Sequence, residues 1–249
     1  MILSELSCIY KGVYMRFLTW NCNKVFRNKS EVFKKLKPNF AIIQEAEYST
    51  DIFNCLGNYN CLWIGDNQKQ GVLIICDEKY NLKVNSLYDK KYQYVIPVDV
   101  YLGEDLQFNM IAVWTKNNEE DRSLRYIGQV AKSLEHYGQI INNKTLLLGD
   151  FNWNILWDKD KKSYNFEYIV KELEKSDVHS CYHFINKLMY GDEPEATFYM
   201  HKNYDKRYHI DYIFAGKYFM DKITKVEVGK YDNYIGCSDH VPVIADFNL

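Results

Sequence analysis

Short apolar runs, each meeting a polar motif at one end, restrict the fold of this chain more than any other feature. In chain order the motifs are Trp20-Asn21-Cys22-Asn23, Ile43-Gln44-Glu45, Gly149-Asp150-Phe151-Asn152, His209-Ile210-Asp211 and Ser238-Asp239-His240. Runs such as Ala41-Ile42-Ile43 and Leu146-Leu147-Leu148 are short and continuously apolar, the pattern of buried strands. Such a run delivers its polar residue to a strand tip. Tips along one edge of a sheet are where a rigid scaffold brings together groups distant in sequence.

The rest of the pattern alternates short strands with a few helices, without a low-complexity linker or an internal sequence repeat. Arg16 to Trp20, Phe40 to Gln44, Asn60 to Ile64 and Gly71 to Cys76 read as strands. Asn81 to Leu87, Tyr94 to Leu102 and Gln107 to Trp114 read as an antiparallel meander. Thr145 to Leu148, Thr197 to Met200, Ile210 to Ala215, Ile223 to Val228 and Val241 to Phe247 complete the strands. Lys29 to Leu36 reads as a helix ended by Pro38. Leu124, Ile127, Val130, Ala131 and Leu134 form one stripe and predict a long helix over Ser123 to Ile141. Tyr164 to Leu173 and Val178 to Leu188 are two further helical stretches. Mostly antiparallel strands with few helices fit two packed sheets flanked by helices.

The motifs also define a chemistry. Asn21, Glu45, Asp150, Asn152, Asp211, Asp239 and His240 supply hard oxygen ligands for a divalent cation, amides to fix a phosphate and an imidazole to move protons. That is the inventory of a magnesium-dependent phosphoester hydrolase. The order of the motifs resembles the endonuclease/exonuclease/phosphatase superfamily from about Met15 to Phe247. Each motif is weak alone; the five in order, each on a predicted strand end, carry the resemblance. It implies an α+β fold, a four-layer α/β/β/α sandwich of two mostly antiparallel sheets flanked by helices. Residues 1–14 are then an N-terminal extension and residues 15–249 a single catalytic domain, a Mg2+- or Mn2+-dependent hydrolase.

Roles follow residue by residue. Glu45 ends a run too apolar to carry a free carboxylate cheaply, and the resemblance makes it a metal ligand, although a surface or helix-capping glutamate would read the same. Asn21 would lie beside it, as a ligand or as a donor to a metal water or phosphate; a turn at Asn-Cys-Asn is its plainer reading. Asp150 and Asn152, two apart in extended chain, point to one side. The resemblance has Asp150 orient or deprotonate the attacking water and Asn152 stabilise the phosphate. His240 is the proton-moving imidazole, Asp211 its natural orienter, and Asp239 a metal ligand or acceptor of a metal water. Trp114 takes the place where many relatives carry His or Tyr; its indole donates but cannot exchange a proton. Arg122, Arg125 and Arg207 are candidate contacts to substrate phosphate, or solvated charge. The lysine clusters Lys90-Lys91-Tyr92 and Lys159 to Lys162 read either as backbone grips for nucleic acid or as solvated loops.

Composition narrows the setting. A hydrophobic content of 47% in 249 residues is ample for a core. A net charge of −2 and a pI near 6.3 exclude a uniformly basic surface, so a nucleic-acid substrate would be held by a local patch or by salt-sensitive contacts. Seven cysteines without a Cys-x-x-Cys pair argue for reduced thiols, no disulfide-linked partner and a cytoplasmic location. No apolar stretch approaches the roughly 18 residues that cross a membrane, and Met1 to Tyr14 lacks the pattern of a secretory signal. His179 and His183 have the spacing of a helical zinc pair but lack the intervening glutamate. The expectation is a monomeric phosphodiesterase, an endo- or exonuclease working by in-line water attack. The alternatives are a phosphatase or phosphodiesterase for a small-molecule or lipid phosphate, and a catalytically impaired nucleic-acid-binding module. Trp153-Asn154 stands where abasic-site relatives carry small or aliphatic residues, which argues against strict abasic-site specificity.

Overall fold

The computed structural model describes residues 13–160 and 163–249. Met1 to Gly12, most of the expected N-terminal extension, and Lys161 and Lys162 of the second lysine cluster lie outside the described residues. In chain order the strands are β1 (Tyr14–Asn21), β2 (Phe40–Ala46), β3 (Tyr59–Asn67), β4 (Gln70–Asp77), β5 (Tyr80–Val84), β6 (Val95–Leu102) and β7 (Asp105–Trp114). They continue with β8 (Thr145–Asp150), β9 (Val178–Ser180), β10 (Phe198–Tyr199), β11 (Arg207–Tyr208), β12 (Asp211–Gly216), β13 (Ile223–Val228) and β14 (Val243–Asn248). The helices are α1 (Ser30–Leu36), α2 (Thr50–Leu56), α3 (Ile127–Tyr137), α4 (Phe166–Glu174), α5 (Cys181–Asn186), α6 (Lys217–Met220) and α7 (Tyr231–Tyr234).

β10 and β11 pair with each other, and the other twelve strands form two six-stranded sheets. One has the order β13-β14-β1-β2-β4-β3 and is built from the two ends of the chain; the other, β5-β6-β7-β8-β12-β9, is built from its middle. Each sheet has a single parallel pair at its centre, β1 with β2 and β7 with β8, and is otherwise antiparallel. Alternation along the strands decides the layers. Phe17, Phe40, Ile42 and Ile74 meet Ile96, Val98, Met110 and Leu148 in the core between the sheets. The opposite faces are covered separately. Leu18, Ile43 and Ile75 pack with Phe33 of α1 and Ile52 and Leu56 of α2. Val113, Leu147 and Phe214 pack with Ile127 and Val130 of α3 and Ile169 and Leu173 of α4. Each such fully buried side chain contributes about 1.5–3 kcal/mol. The result is a four-layer sandwich, helices outside and sheets inside.

Two expectations for helices are corrected. The stretch Ser123 to Ile141 is not one helix: a 3-10 turn at Arg122–Leu124 is broken at Tyr126, whose φ is 45°, before α3, and a second 3-10 turn, Gly138–Ile140, follows. Val178 to Leu188 begins as β9, because Val178, His179 and Ser180 pair with β12, and only Cys181–Asn186 is helical. The helix α2, whose N-cap Ser49 accepts from Asp51 N, was not expected.

The parallel pairs place the site. Because β1 runs with β2 and β7 with β8, the C-terminal tips of all four strands end in pairs. Asn21 is opposite Gln44, and Trp114 is opposite Asp150. The antiparallel β12 starts at the same edge, with Asp211 opposite Asp150, and β14 starts just after His240 beside β1. Gly149 makes the close approach there possible. A Cβ on it would meet the Val113 carbonyl oxygen at 1.8 Å.

Candidate active site

Asp150 is fully buried and held from three sides. Its Oδ1 accepts the Asn152 amide N–H at 2.9 Å, and its Oδ2 accepts Nδ2 of Asn152 at 3.0 Å and Nδ2 of Asn21 at 3.0 Å. The last bond ties the edge of one sheet to the edge of the other. The extended Asp-x-Asn geometry expected from sequence is not what brings these residues together. Asn152 has a φ of 48°, so a left-handed turn folds its amide back onto Asp150. Its second amide hydrogen goes to Thr115 O at 3.0 Å, so both are engaged within the protein.

Asp211 and His240 form the second element. His240 Nδ1 lies 2.9 Å from Asp211 Oδ2, which fixes the proton on Nδ1 and leaves Nε2 directed toward Asp150, 3.9 Å from its Oδ2. Thr197 Oγ1 accepts from the amides of both Ile210 and Asp211, each at 3.0 Å, and so fixes the start of β12. Phe198 bridges to the His240 backbone and packs against its ring at a tilt, with centroids 4.5 Å apart. Ser238 Oγ donates to Asn21 O and accepts from His240 N, locking the Ser-Asp-His turn to β1. Burial pushes the His240 imidazole down, but the charges of Asp211 and Asp150, with the Asp211 hydrogen bond, outweigh it and raise its pKa to about 9. Burial, joined by the Asp211 charge, raises the Asp150 carboxyl to about 7 against the opposing pull of His240 and its amide donors. A charged imidazole stands beside a carboxyl far more basic than a solvated one.

Glu45 reaches this edge through a bulge. In the pairing of β2 with β4, Gln44 faces Val72 and Ala46 faces Gly71, so Glu45 is the extra residue. Its φ is 59°, a left-handed conformation that costs a non-glycine residue about 1–2 kcal/mol. The bulge keeps Ile43 and Ala46 on the helix-covered face and leaves the Glu45 carboxylate to accept Asn21 Nδ2 at 3.3 Å. Asn21 thus donates its amide to Glu45 and Asp150 together, while its Oδ1 accepts from Asn23 N. Asn23 donates through Nδ2 to Asp239 Oδ1 at 2.9 Å. Asp150, Asp211 and His240 offer ligand atoms within 4.8 Å of one another, an arrangement that a cation could also occupy. Glu45 and Asp239 bring two further carboxylates to this edge, each accepting an asparagine amide.

The loop that carries Asn23 is unusual. Asn23, Lys24 and Val25 are all left-handed, with φ of 50°, 64° and 49°. Lys29, only 8% exposed, sends its ammonium into this loop and donates to the carbonyls of Cys22, Asn23 and Lys24, the last two at 3.1 and 2.6 Å. Glu47 secures the following turn by accepting from Phe26 N at 2.6 Å.

Trp114, Arg125 and Arg207 also have partners outside this cluster. Trp114 is buried in the inter-sheet core, stacked on Tyr94 at 4.8 Å with Lys116 Nζ 4.5 Å over its ring. Arg122 and Arg125 sit in the segment that leaves the site after Thr115, and Arg125 Nε donates to Asn118 O. Arg207 lies on the β10–β11 hairpin opposite Tyr199 and stacks on Tyr204 at 4.5 Å, with the face bearing Phe198 turned to His240 instead. His183 is bound by Ser180 Oγ and Glu193 and His179 is on β9, so the two do not form a zinc pair. Sequence reasoning did not single out Asn23, Lys29, Thr197 or Phe198. Asn23 stood inside the Trp20-Asn21-Cys22-Asn23 motif, whereas Lys29 read as the start of a helix and Thr197 and Phe198 as the start of a strand.

No protein-family model matches the chain, and no curated protein matches it. Solved structures do share its fold. The 3'-5' exonuclease NExo from Neisseria meningitidis is 19% identical, with a TM-score of 0.64 over 94% of this chain and 100% of that one. Truncated TDP2 from Caenorhabditis elegans is 15% identical, with a TM-score of 0.68 over 96% and 99% of the two chains. An endonuclease/exonuclease/phosphatase family protein from Bacteroides thetaiotaomicron is 14% identical, with a TM-score of 0.63 over 96% and 100%. At such identities the likeness is one of fold, and the two-sheet sandwich is theirs.

Proposed function

We propose that this chain, having the fold of the endonuclease/exonuclease/phosphatase proteins, is a divalent-metal-dependent phosphodiesterase whose substrate is a nucleic acid. One observation carries the reading: Asp150, fixed by three N–H bonds, meets the Asp211–His240 pair at the edge where Glu45 and Asp239 also end. A member of this fold, the Neisseria 3' phosphatase NExo, has been solved with a product DNA hairpin, which supports nucleic acid over a small phosphate.

Glu45 and Asp239 are the residues we assign to Mg2+ or Mn2+, with Asn21 bridging Glu45 to Asp150. A divalent cation held there supplies charge neutralisation at a phosphoryl oxygen. The chain's own residues do the rest. Asp150, with its raised pKa, is suited to take a proton from an attacking water. Asn152 holds that carboxylate in place. His240, kept charged by Asp211, offers Nε2–H to a phosphoryl oxygen as charge builds. Trp114 walls the site from inside the core, and Arg122 and Arg125 are read as contacts to substrate phosphate. Residues 15–249 act as one catalytic unit, which we place in the cytoplasm as a monomer; six unpaired cysteines among the described residues accord with a reducing compartment. No helix among the described residues is long and apolar enough to cross a membrane.

The test is a panel of plasmid, single strands, abasic duplex, RNA and inositol phosphates with Mg2+ or Mn2+. EDTA should abolish hydrolysis, added Mg2+ or Mn2+ should restore it, and cleavage of long DNA should fall steeply as salt rises. Full activity in chelator contradicts the metal assignment. Phosphate release from a small ester alone, with every nucleic acid intact at low salt, contradicts the substrate.

A further inference from the structure

We propose that Lys29 is a positioning residue: its buried ammonium serves as a tethered cation that holds the left-handed loop Asn23–Val25 and so presents Asn23 to Asp239. Three backbone carbonyls, of Cys22, Asn23 and Lys24, converge on that one ammonium. Three consecutive left-handed residues are costly for L-amino acids, and a β-branched residue such as Val25 does not adopt this conformation unaided. A cation at the focus of the carbonyls supplies what the local sequence does not. The loop's product is a single bond, from Asn23 Nδ2 to Asp239 Oδ1 at 2.9 Å, while Asn23 N is held by Asn21 Oδ1 at 3.0 Å. Lys29 therefore stands behind both carboxylate arms of the site. Through Asn23 it fixes Asp239, and through the Asn23–Asn21 link it steadies the amide that meets Glu45. The consequence for metal binding rests on the reading of Glu45 and Asp239 as ligands; the consequence for Asn23 does not.

Two predictions of the idea are unlike those of a merely structural lysine. Groups that orient a metal ligand typically set its affinity by about 10- to 100-fold, so Lys29→Met should weaken Mn2+ binding by that factor in calorimetry. The ammonium's place should also be refillable. In Lys29→Ala, n-propylammonium at high millimolar concentration should recover much of the affinity, while the parent and Lys29→Met do not respond. Asn23→Ala leaves Lys29 and its carbonyls in place and should reproduce the loss, and adding Lys29→Met to it should cost little more. An Asn23→Ala protein that binds Mn2+ as the parent does overturns the metal consequence, whether or not the Lys29 variants fold. Side-chain amide NMR of Asn23 gives the independent arm, since Lys29→Met or Lys29→Arg should shift those resonances. Unmoved resonances overturn the positioning role itself. A parent that binds Mn2+ yet hydrolyses no phosphoester removes the hydrolase reading and leaves this one standing.

Discussion

His240 is held by Asp211 on one ring nitrogen and faces Asp150 with the other, so the three residues share one charge distribution. Groups that act as one unit lose their function together. Asp211→Asn should reduce turnover about a hundredfold or more, and His240→Ala at least as much. The double variant should be little worse than the poorer single one; turnover under saturating metal that falls by the product of the two losses would mean that Asp211 does not work through His240. A second carboxyl tests stability instead of turnover. Glu193 accepts His183 Nε2 at 2.9 Å and Gly191 N at 3.1 Å. Burial pushes its carboxyl up, but these bonds and the nearby His209 outweigh it and bring the pKa from 4.5 down to about 2. A depressed folded pKa means stability that is complete above about pH 4.5 and lost as pH falls toward 2. Glu193→Gln should therefore be less stable than the parent at pH 7, on the order of 3 kcal/mol at most. The gap should close between pH 4.5 and 2 in urea titrations, and a gap independent of pH would refute the assignment.

At the scale of the element, the bulge in β2 sets stability against chemistry. Glu45 is left-handed because the extra residue must turn its carboxylate toward Asn21. Glu45→Gly should relieve that strain, leaving the protein as stable as the parent or more so by about 1 kcal/mol, while divalent-metal affinity collapses. A large loss of stability in urea would show that the bulge is held by something other than the glutamate's conformation. The β7–β8 pair permits no such freedom. Gly149→Ala drives a methyl into Val113 O and should destabilise by about 3 kcal/mol or more, read as a fall in melting temperature. The strands were legible because runs such as Leu146-Leu147-Leu148 fill two cores at once and admit no helix-period stripe. The single helix expected from Ser123 was not, since the stripe from Leu124 to Leu134 continues through Tyr126 and gives no sign of its left-handed turn. The motif residues announced themselves as polar groups at the ends of apolar runs. The bulge at Glu45 and the reach of Lys29 did not, because each depends on pairing or burial with residues far along the chain.

Over the whole molecule, the two sheets repeat one plan, a central parallel pair with two antiparallel strands on either side, although the sequence shows no repeat. They differ in where their strands come from. The sheet of β5 to β9 and β12 draws on the continuous stretch Tyr80–Gly216, whereas β1 must find β14, which follows it by more than the length of the other sheet. Loop closure of that size delays such contacts. In pulse-labelled hydrogen exchange during refolding, amides of β7 and β8 should gain protection before those of β1, and simultaneous protection would reject the order. On a ribosome the same topology acts as a checkpoint. The middle sheet can form before β14 has been made, but Asp239 and His240 follow β12 in the chain, so a nascent chain cannot bring Asp150, Asp211 and His240 together until it has been extended past His240.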